Sequence, residues 1–305
     1  MSTQRIVIVG GNGFIGSALI DRLLQEGYRD VVNVSRGDSR RNDIVHVRAS
    51  LADGDAIAEV IREGDIVVHL AGSSTPSAVE EDPAGAAQEE IVGSITLLGI
   101  CVRLKVRKFI YLSSGGTVYG PADAPAPETS PAEPRNAFGT LKRSIELWVE
   151  AFGRRYGMPY AIVRLSNAYG RKDSRGRAQG VVDIFMERLR ADQPIVVRGN
   201  GSIVRDYIHI DDVCTFLSKV ISDDLAGVYN LGTGVGTSIN QLLEILERVT
   251  GKKPIVAREE GASFDLPYAV LSIEKARNTG WKPMFSLEEG LKDIYLKLKK
   301  KNAQA

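Results

Sequence analysis

The chain has 305 residues, enough for one large or two modest domains around a well-buried core. It is 43% apolar and 25% charged with a formal net charge of +1, the balance of an ordinary soluble globular protein. That balance excludes a general attraction to nucleic acid or to an anionic membrane surface. No run reads as a membrane span, and the N-terminus enters a strand without a charged-then-apolar leader. A cytoplasmic protein is expected, with neither nucleic acid nor membrane as partner. Cys101 and Cys214 fall in apolar helical patterns, outside any CxxC pair, and read as reduced core thiols.

Apolar runs at 5–9, 31–34, 44–48, 65–70, 107–112 and 160–164 read as buried strands. Between them lie helical patterns near 14–26, 54–62, 83–104 and 136–156, the alternation of parallel βαβ units. In the last helix Leu141, Ile145, Trp148, Val149 and Phe152 form one apolar stripe. The proline-rich segment 120–135 is an irregular loop. After about residue 168 the pattern turns to loops with helices near 179–191, 211–222, 238–250 and 287–301. The helix at 238–250 opens on Ser238-Ile-Asn-Gln, a capping-box start, and ends at Gly251. The prediction is an α/β fold: a doubly wound parallel sheet over 1–168 and a smaller lobe over 169–305, some of whose elements return to the first domain. The basic tail Lys297-Leu-Lys-Lys-Lys301 reads as a solvated helix end.

Gly10-Gly-Asn-Gly13-Phe14-Ile15-Gly16 follows the first strand and opens the first helix. Glycines there permit a tight turn and close approach of the backbone to a pyrophosphate, which the helix N-terminus stabilises. The second strand ends on Val34-Ser35-Arg36, with Arg40 and Arg41 behind. A carboxylate at that place reads the ribose of NAD, whereas an arginine accommodates the 2′-phosphate of NADP. Ser35 cannot accept two ribose hydroxyls as a carboxylate does. Arg36 either grips a phosphate or belongs to a solvated loop, so the cofactor reads as NAD or NADP.

Ser113, Ser114, Thr117 and Tyr119 cluster at the carboxyl end of the fifth strand, where ligands sit in open α/β sheets. Asn136-Ala-Phe138-Gly-Thr-Leu-Lys142 follows. Residues four apart share a helix face, so Phe138 and Lys142 point the same way. Together with the glycine turn and Asp65-Ile-Val-Val-His-Leu70-Ala71-Gly72, these segments resemble the extended short-chain dehydrogenase/reductase family. The match is to its NAD-dependent epimerase/dehydratase branch, of which UDP-glucose 4-epimerase is typical. The resemblance runs on through Arg164-Leu-Ser-Asn167, Gln179-Gly-Val181-Val, Gly199–Val213, Tyr229–Gly234 and Gly280-Trp-Lys-Pro283, essentially the whole chain.

The resemblance implies a Rossmann-type domain with a nucleotide-sugar-binding lobe. Cofactor contacts would come from Gly10, Gly13, Phe14, Ile15, Gly16, Ser35, Arg36, Leu70, Ala71, Gly72 and Lys142. Asn167 and Arg205 would hold the diphosphate of a nucleoside-diphosphate sugar, with Gln179 and Val181 lining the base pocket and Arg258 as a further substrate contact. A homodimer is implied, with helices 83–104 and 136–156 paired across a two-fold axis. In the family a tyrosinate beside the lysine removes the sugar hydroxyl proton; here Phe138 stands in its place and can be neither acid nor base. Candidate catalytic residues are therefore Phe138, Lys142, Ser114 and Thr117. Three accounts of Phe138 stay open: a tyrosine replaced to trap substrate, proton transfer by Ser114, Thr117 or Tyr119, or ligand binding without turnover. Other departures accompany it: Glu90 for an asparagine, Ser35 and Ser50 for carboxylates near the adenosine, Ala262 for a substrate arginine, and Ser272 for an aspartate. The expected activity is nucleotide-sugar 4-epimerisation in polysaccharide precursor synthesis. The alternatives are an NADPH-dependent 4-keto-sugar reductase and a non-catalytic sugar-nucleotide-binding protein. His69 and His209 read as structural, and no metal site is expected.

Overall fold

The computed structural model describes residues 4–39, 41–72, 75–170, 180–260 and 266–302. The chain runs β1 (Ile6–Val9), α1 (Phe14–Gln25), β2 (Val31–Ser35), β3 (Val45–Arg48), α2 (Gly54–Val60), β4 (Ile66–His69), α3 (Pro76–Glu81) and α4 (Pro83–Ala86). A π-helical turn, Ala87–Val92, leads without a break into α5 (Gly93–Arg103), then β5 (Lys108–Ser114), α6 (Gly115–Val118), α7 (Ala137–Tyr156) and β6 (Tyr160–Leu165). There follow β7 (Asn167–Tyr169), α8 (Val181–Arg190), β8 (Ile195–Arg198), β9 (Val204–His209), α9 (Ile210–Ser222), β10 (Gly227–Leu231) and β11 (Gly236–Ser238). The chain closes with α10 (Ile239–Thr250), β12 (Val256–Glu259), β13 (Tyr268–Ala269), α11 (Glu274–Arg277) and α12 (Leu287–Asn302).

Seven strands form one sheet in the order β10-β6-β5-β4-β1-β2-β3. β1 pairs in parallel with both β2 and β4, so the strand order reverses there and opens a crevice at their carboxyl ends. β1, β2 and β4 are buried along their whole length, as Val- and Ile-rich strands covered on both faces must be. The chain divides into two compact units. One takes in the chain to Tyr119 with Pro131–Arg164 and Cys214–Tyr229. The other comprises Gly120–Ser130, Leu165–Val213 and the chain from Asn230 onward.

The second half holds more strand than its sequence announces. β7, β11 and β13 all pair with β9, and β12 pairs with β8. Each is short, and three or four residues carry too little alternation to stand out from loop. α10 has the expected capping box of Ser238 and Gln241, and Gly251 ends it in the left-handed region at φ 71°. Helix 83–104 contains the π-helical turn instead of running as uninterrupted α-helix. By length and composition Pro83–Arg103 is also long and apolar enough for a membrane span, contrary to the expectation that no run would be. Its Leu97, Leu98 and Cys101 are core residues of the first unit. Trp148 leaves the predicted stripe and is exposed, while Leu141, Ile145 and Val149 stay in the core.

α7 is fixed to the sheet by an ionic cluster that the sequence did not reveal. Glu146, fully buried, accepts hydrogen bonds from Arg164 of β6 at 2.7–3.2 Å, from Ser113 of β5 at 2.6 Å and from Arg143 at 2.9 Å. Arg164 also donates to the Tyr119 hydroxyl at 2.9 Å. Breaking a buried pair leaves uncompensated charge, so Glu146→Leu is expected to cost about 3–5 kcal/mol. Urea unfolding measures it, and a loss under about 1 kcal/mol, the range of exposed pairs, would show the cluster to be solvated.

Candidate active site

The glycine turn sits at the strand-order reversal and is shaped by what a Cβ would strike. Gly10 has φ +97°, and a Cβ there would lie 2.6 Å from the backbone nitrogen of Ala71. At Gly16 it would lie 2.5 Å from the Gly10 carbonyl oxygen, so α1 can approach β1 only with glycine here. Gly13 precedes Phe14, Ile15 and Gly16 in the N-cap position of α1 and offers no side-chain cap. An anion can therefore approach backbone N–H groups at the positive end of the helix. The cradle fits a dinucleotide pyrophosphate.

The carboxyl end of β2 is more closed than expected. Ser35 is buried; its hydroxyl donates to Asn33 Oδ1 at 2.7 Å and accepts the Asn12 amide at 3.0 Å. Asn33 Nδ2 donates to Asn12 Oδ1 at 2.8 Å. Ser35 thus braces the glycine turn through two asparagines and has no proton left for a ribose. Arg36 is exposed and pairs with Glu89 at 3.0 Å, a carboxylate that competes with any phosphate.

β5 ends in the hydroxyl segment, and α6 carries it toward α7. A Cβ on Gly139 would collide with the Thr117 carbonyl oxygen, so glycine at 139 is what lets the Ser114–Thr117 turn pack on the start of α7. Asn136 caps α7, accepting the Gly139 amide at 2.7 Å. Tyr119 is only 4% exposed, and Arg164 lies both against its ring and on its hydroxyl. Tyr119 is thereby part of the core, which leaves Ser114 and Thr117 as half-buried hydroxyls.

One turn along α7 from the half-buried Phe138, the Lys142 ammonium lies 5.2 Å from its ring centroid. Lys142 Nζ donates to Glu90 Oε2 at 2.8 Å, and Glu90 is 1% exposed. Glu90 projects from the π-helical turn, a distortion often found at functional positions. A Cβ on Gly72 would stand 2.8 Å from Lys142 Nζ and 3.1 Å from Glu90 Oε2. The Leu70–Gly72 turn thus abuts the glycine turn at Ala71 and the ion pair at Gly72. Nearby, His69 Nε2 shares a 2.8 Å hydrogen bond with Ser94 Oγ, which donates to the Glu90 carbonyl at 2.5 Å. Burial first, and the Lys142 charge second, push His69 down to about 3, so it is neutral.

The expected substrate residues lie in the second unit. Asn167, on β7, donates through Nδ2 to the Asp206 carbonyl at 3.0 Å. Arg205, on β9, donates to the carbonyls of Val204 and Leu266 at 3.0 and 2.7 Å. Asn167 and Arg205 share one sheet, whereas Arg258 is exposed on the separate β8–β12 pair. Val181 opens α8, and Gln179 lies outside the described residues, as do Arg40 and Ala262. Asp206 does not pair with Arg205; its carboxylate receives Thr233 and Gly234 amides at 2.9 and 3.1 Å and so anchors that loop.

The strand order, the glycine cradle at its reversal and the lysine beneath the adjoining turn define a dinucleotide-binding α/β protein. The chain matches the NAD dependent epimerase/dehydratase family over residues 6–232, and it belongs to that family. It is 31% identical to the UDP-glucose 4-epimerase of Mycolicibacterium smegmatis over 94% of this chain and 96% of that one. The UDP-glucose 4-epimerase of Thermotoga maritima, solved with UDP-glucose, superposes with TM-score 0.90 at 34% identity, covering 98% of this chain and all of that one. That of Thermus thermophilus, solved with NAD, gives 0.88 at 30% identity over 95% of this chain and 97% of that one.

Two stability effects follow from these contacts. Lys142→Met removes the cation from the buried Glu90 and is expected to cost about 3–5 kcal/mol in urea unfolding, most of it regained in the Glu90→Gln/Lys142→Met double variant. His69 binds its proton near 3 in the folded chain, below its ordinary 6.5. Between those values the unfolded state holds a proton that the folded state lacks, so stability falls as pH drops through that window. The slope is about 1.4 kcal/mol per pH unit at most. In unfolding curves taken across that range, His69→Asn should be less acid-sensitive by that amount; an unchanged slope would count against a neutral His69.

Proposed function

We propose that this protein is a nucleotide-sugar 4-epimerase acting on a UDP-hexose with NAD, in polysaccharide precursor synthesis. The reading rests on one observation: the Leu70–Gly72 turn lies so near both Gly10 and Lys142 that a Cβ on Gly10 would strike Ala71 and one on Gly72 would strike the Lys142 ammonium. A cofactor seated by Gly10, Gly13, Phe14, Ile15 and Gly16 would meet Lys142 farther along its length. When bound, the dinucleotide supplies reversible hydride transfer at sugar C4. Lys142 would orient the cofactor ribose. Ser114 and Thr117 would hydrogen-bond the reacting sugar hydroxyl. Asn167 and Arg205 would hold the diphosphate as neutral and charged donors, with Val181, Gln179 and Arg258 as further substrate contacts. The similarity to epimerases over nearly full length supports the same reading.

Phe138 leaves proton transfer to weaker groups, and losing one positioned acid or base costs about 10²–10⁴ in rate. The reductase alternative rests on Arg36. Glu89 at 3.0 Å weakens it, because that carboxylate competes for the guanidinium and repels a 2′-phosphate. A soluble, cytoplasmic homodimer is part of the proposal. Val92, on the π-helical turn, and Leu147, Trp148 and Tyr156 on α7 form exposed apolar surface suited to a second copy.

Supplied with NAD and UDP-glucose, the protein should form UDP-galactose, about 10²–10⁴-fold slower than an enzyme with its acid/base group intact. The dinucleotide released on denaturation should have the mass of NAD. Release of NADP instead, with reduction of a 4-keto sugar, would replace this reading by the reductase. Light scattering should give the mass of a dimer that Trp148→Glu dissociates. A monomer at all concentrations would remove the homodimer.

A further inference from the structure

Three features surround one lysine: an aromatic ring without a hydroxyl, a buried carboxylate and a glycine with no room for a Cβ. Lys142 is 10% exposed at its side chain, so its charge needs a counter-ion inside the protein. Phe138 offers only its ring face, 5.2 Å away, a contact far weaker than an ion pair. Glu90 supplies the anion at 2.8 Å, and Gly72 closes over both groups. Among the described residues, other polar groups nearby do not change that balance. His69 is neutral, and the Tyr111 hydroxyl, buried with no hydrogen-bond partner among the described residues, is a phenol whose ionisation burial opposes.

We propose that Glu90 and Phe138 form one unit, in which Glu90 permanently neutralises Lys142 and leaves the lysine to position a cofactor without activating an acid/base group at position 138. The proposal rests on the cofactor-binding reading of this site. An ammonium within about 4–6 Å lowers the pKa of a phenol by favouring its charged form, and a carboxylate at the same ammonium cancels that field. A hydroxyl restored on the ring at 138 would therefore meet a lysine whose charge is already spent. Phe138 is in this account not an isolated loss in an otherwise unchanged site. The charges around it match a ring that never ionises.

The test compares Phe138→Tyr with Phe138→Tyr/Glu90→Gln by ultraviolet difference titration, each against its Phe138 parent so that the native tyrosines cancel. The added phenol should ionise about one pH unit or more lower in the double variant. UDP-glucose epimerisation with NAD should recover at least roughly tenfold more in the double variant than in Phe138→Tyr, with a pH profile that follows the phenol. Phe138→Tyr/Glu90→Asp, which keeps the charge if the buried amide proves disruptive, should titrate like Phe138→Tyr alone. Equal phenol titration in Phe138→Tyr and the Gln double variant overturns the proposal, as does full recovery by Phe138→Tyr alone. A shifted phenol with no epimerisation in any variant upholds the charge coupling and removes the epimerase reading instead.

Discussion

The site depends on a close approach of backbone to backbone. The turn after β4 can lie against the turn after β1 only because Gly10 lacks a Cβ and adopts a left-handed φ. That approach places Leu70, Ala71 and Gly72 over the crevice where the strand order reverses. Gly72 repeats the constraint one step farther on, leaving room for Lys142 and Glu90 beneath it. Glycines on two facing turns thus set the distance between a phosphate cradle and a cation.

Buried polar side chains beside the site brace its elements. The Ser35–Asn33–Asn12 network stiffens the glycine turn, and the Glu146 cluster ties α7 to β5 and β6. α7 therefore presents Phe138 and Lys142 from a helix whose position is set at Glu146, one turn beyond the lysine. The low polarisability of this interior makes each unpaired charge costly, and that explains why Lys142 carries its own anion. Glu90 reaches it from the π-helical turn, where an extra residue in the turn changes the direction of side chains relative to α-helix.

Much of the fold was legible because buried parallel strands and amphipathic helices write strong periods into a sequence. The glycine turn, the Phe138–Lys142 spacing and the capping box of α10 could all be located from residue type and offset. What escaped was of two kinds. Short strands such as β7, β11 and β13 owe their existence to pairing with β9, a tertiary cause that three residues cannot announce. Charge pairing across segments escaped for the same reason. Glu90 stands out of pattern in the sequence, but nothing in the chain says that its carboxylate meets a lysine fifty-two positions away. Likewise Ser35 looks like a weak ribose reader, and only its bonds to Asn12 and Asn33 show that it serves the turn. Helical periodicity places Trp148 in the core stripe, yet it is exposed.

A turn held by Gly10 and Gly72 would build one continuous seat for an adenine dinucleotide. Calorimetric titration of the purified protein with NAD, beside the Gly72→Ala variant, tests it most directly. Uptake by the protein should saturate and uptake by a variant of unchanged circular dichroism should be weaker, because the added methyl displaces Lys142. Absence of heat with NAD, NADP and both reduced forms would contradict it.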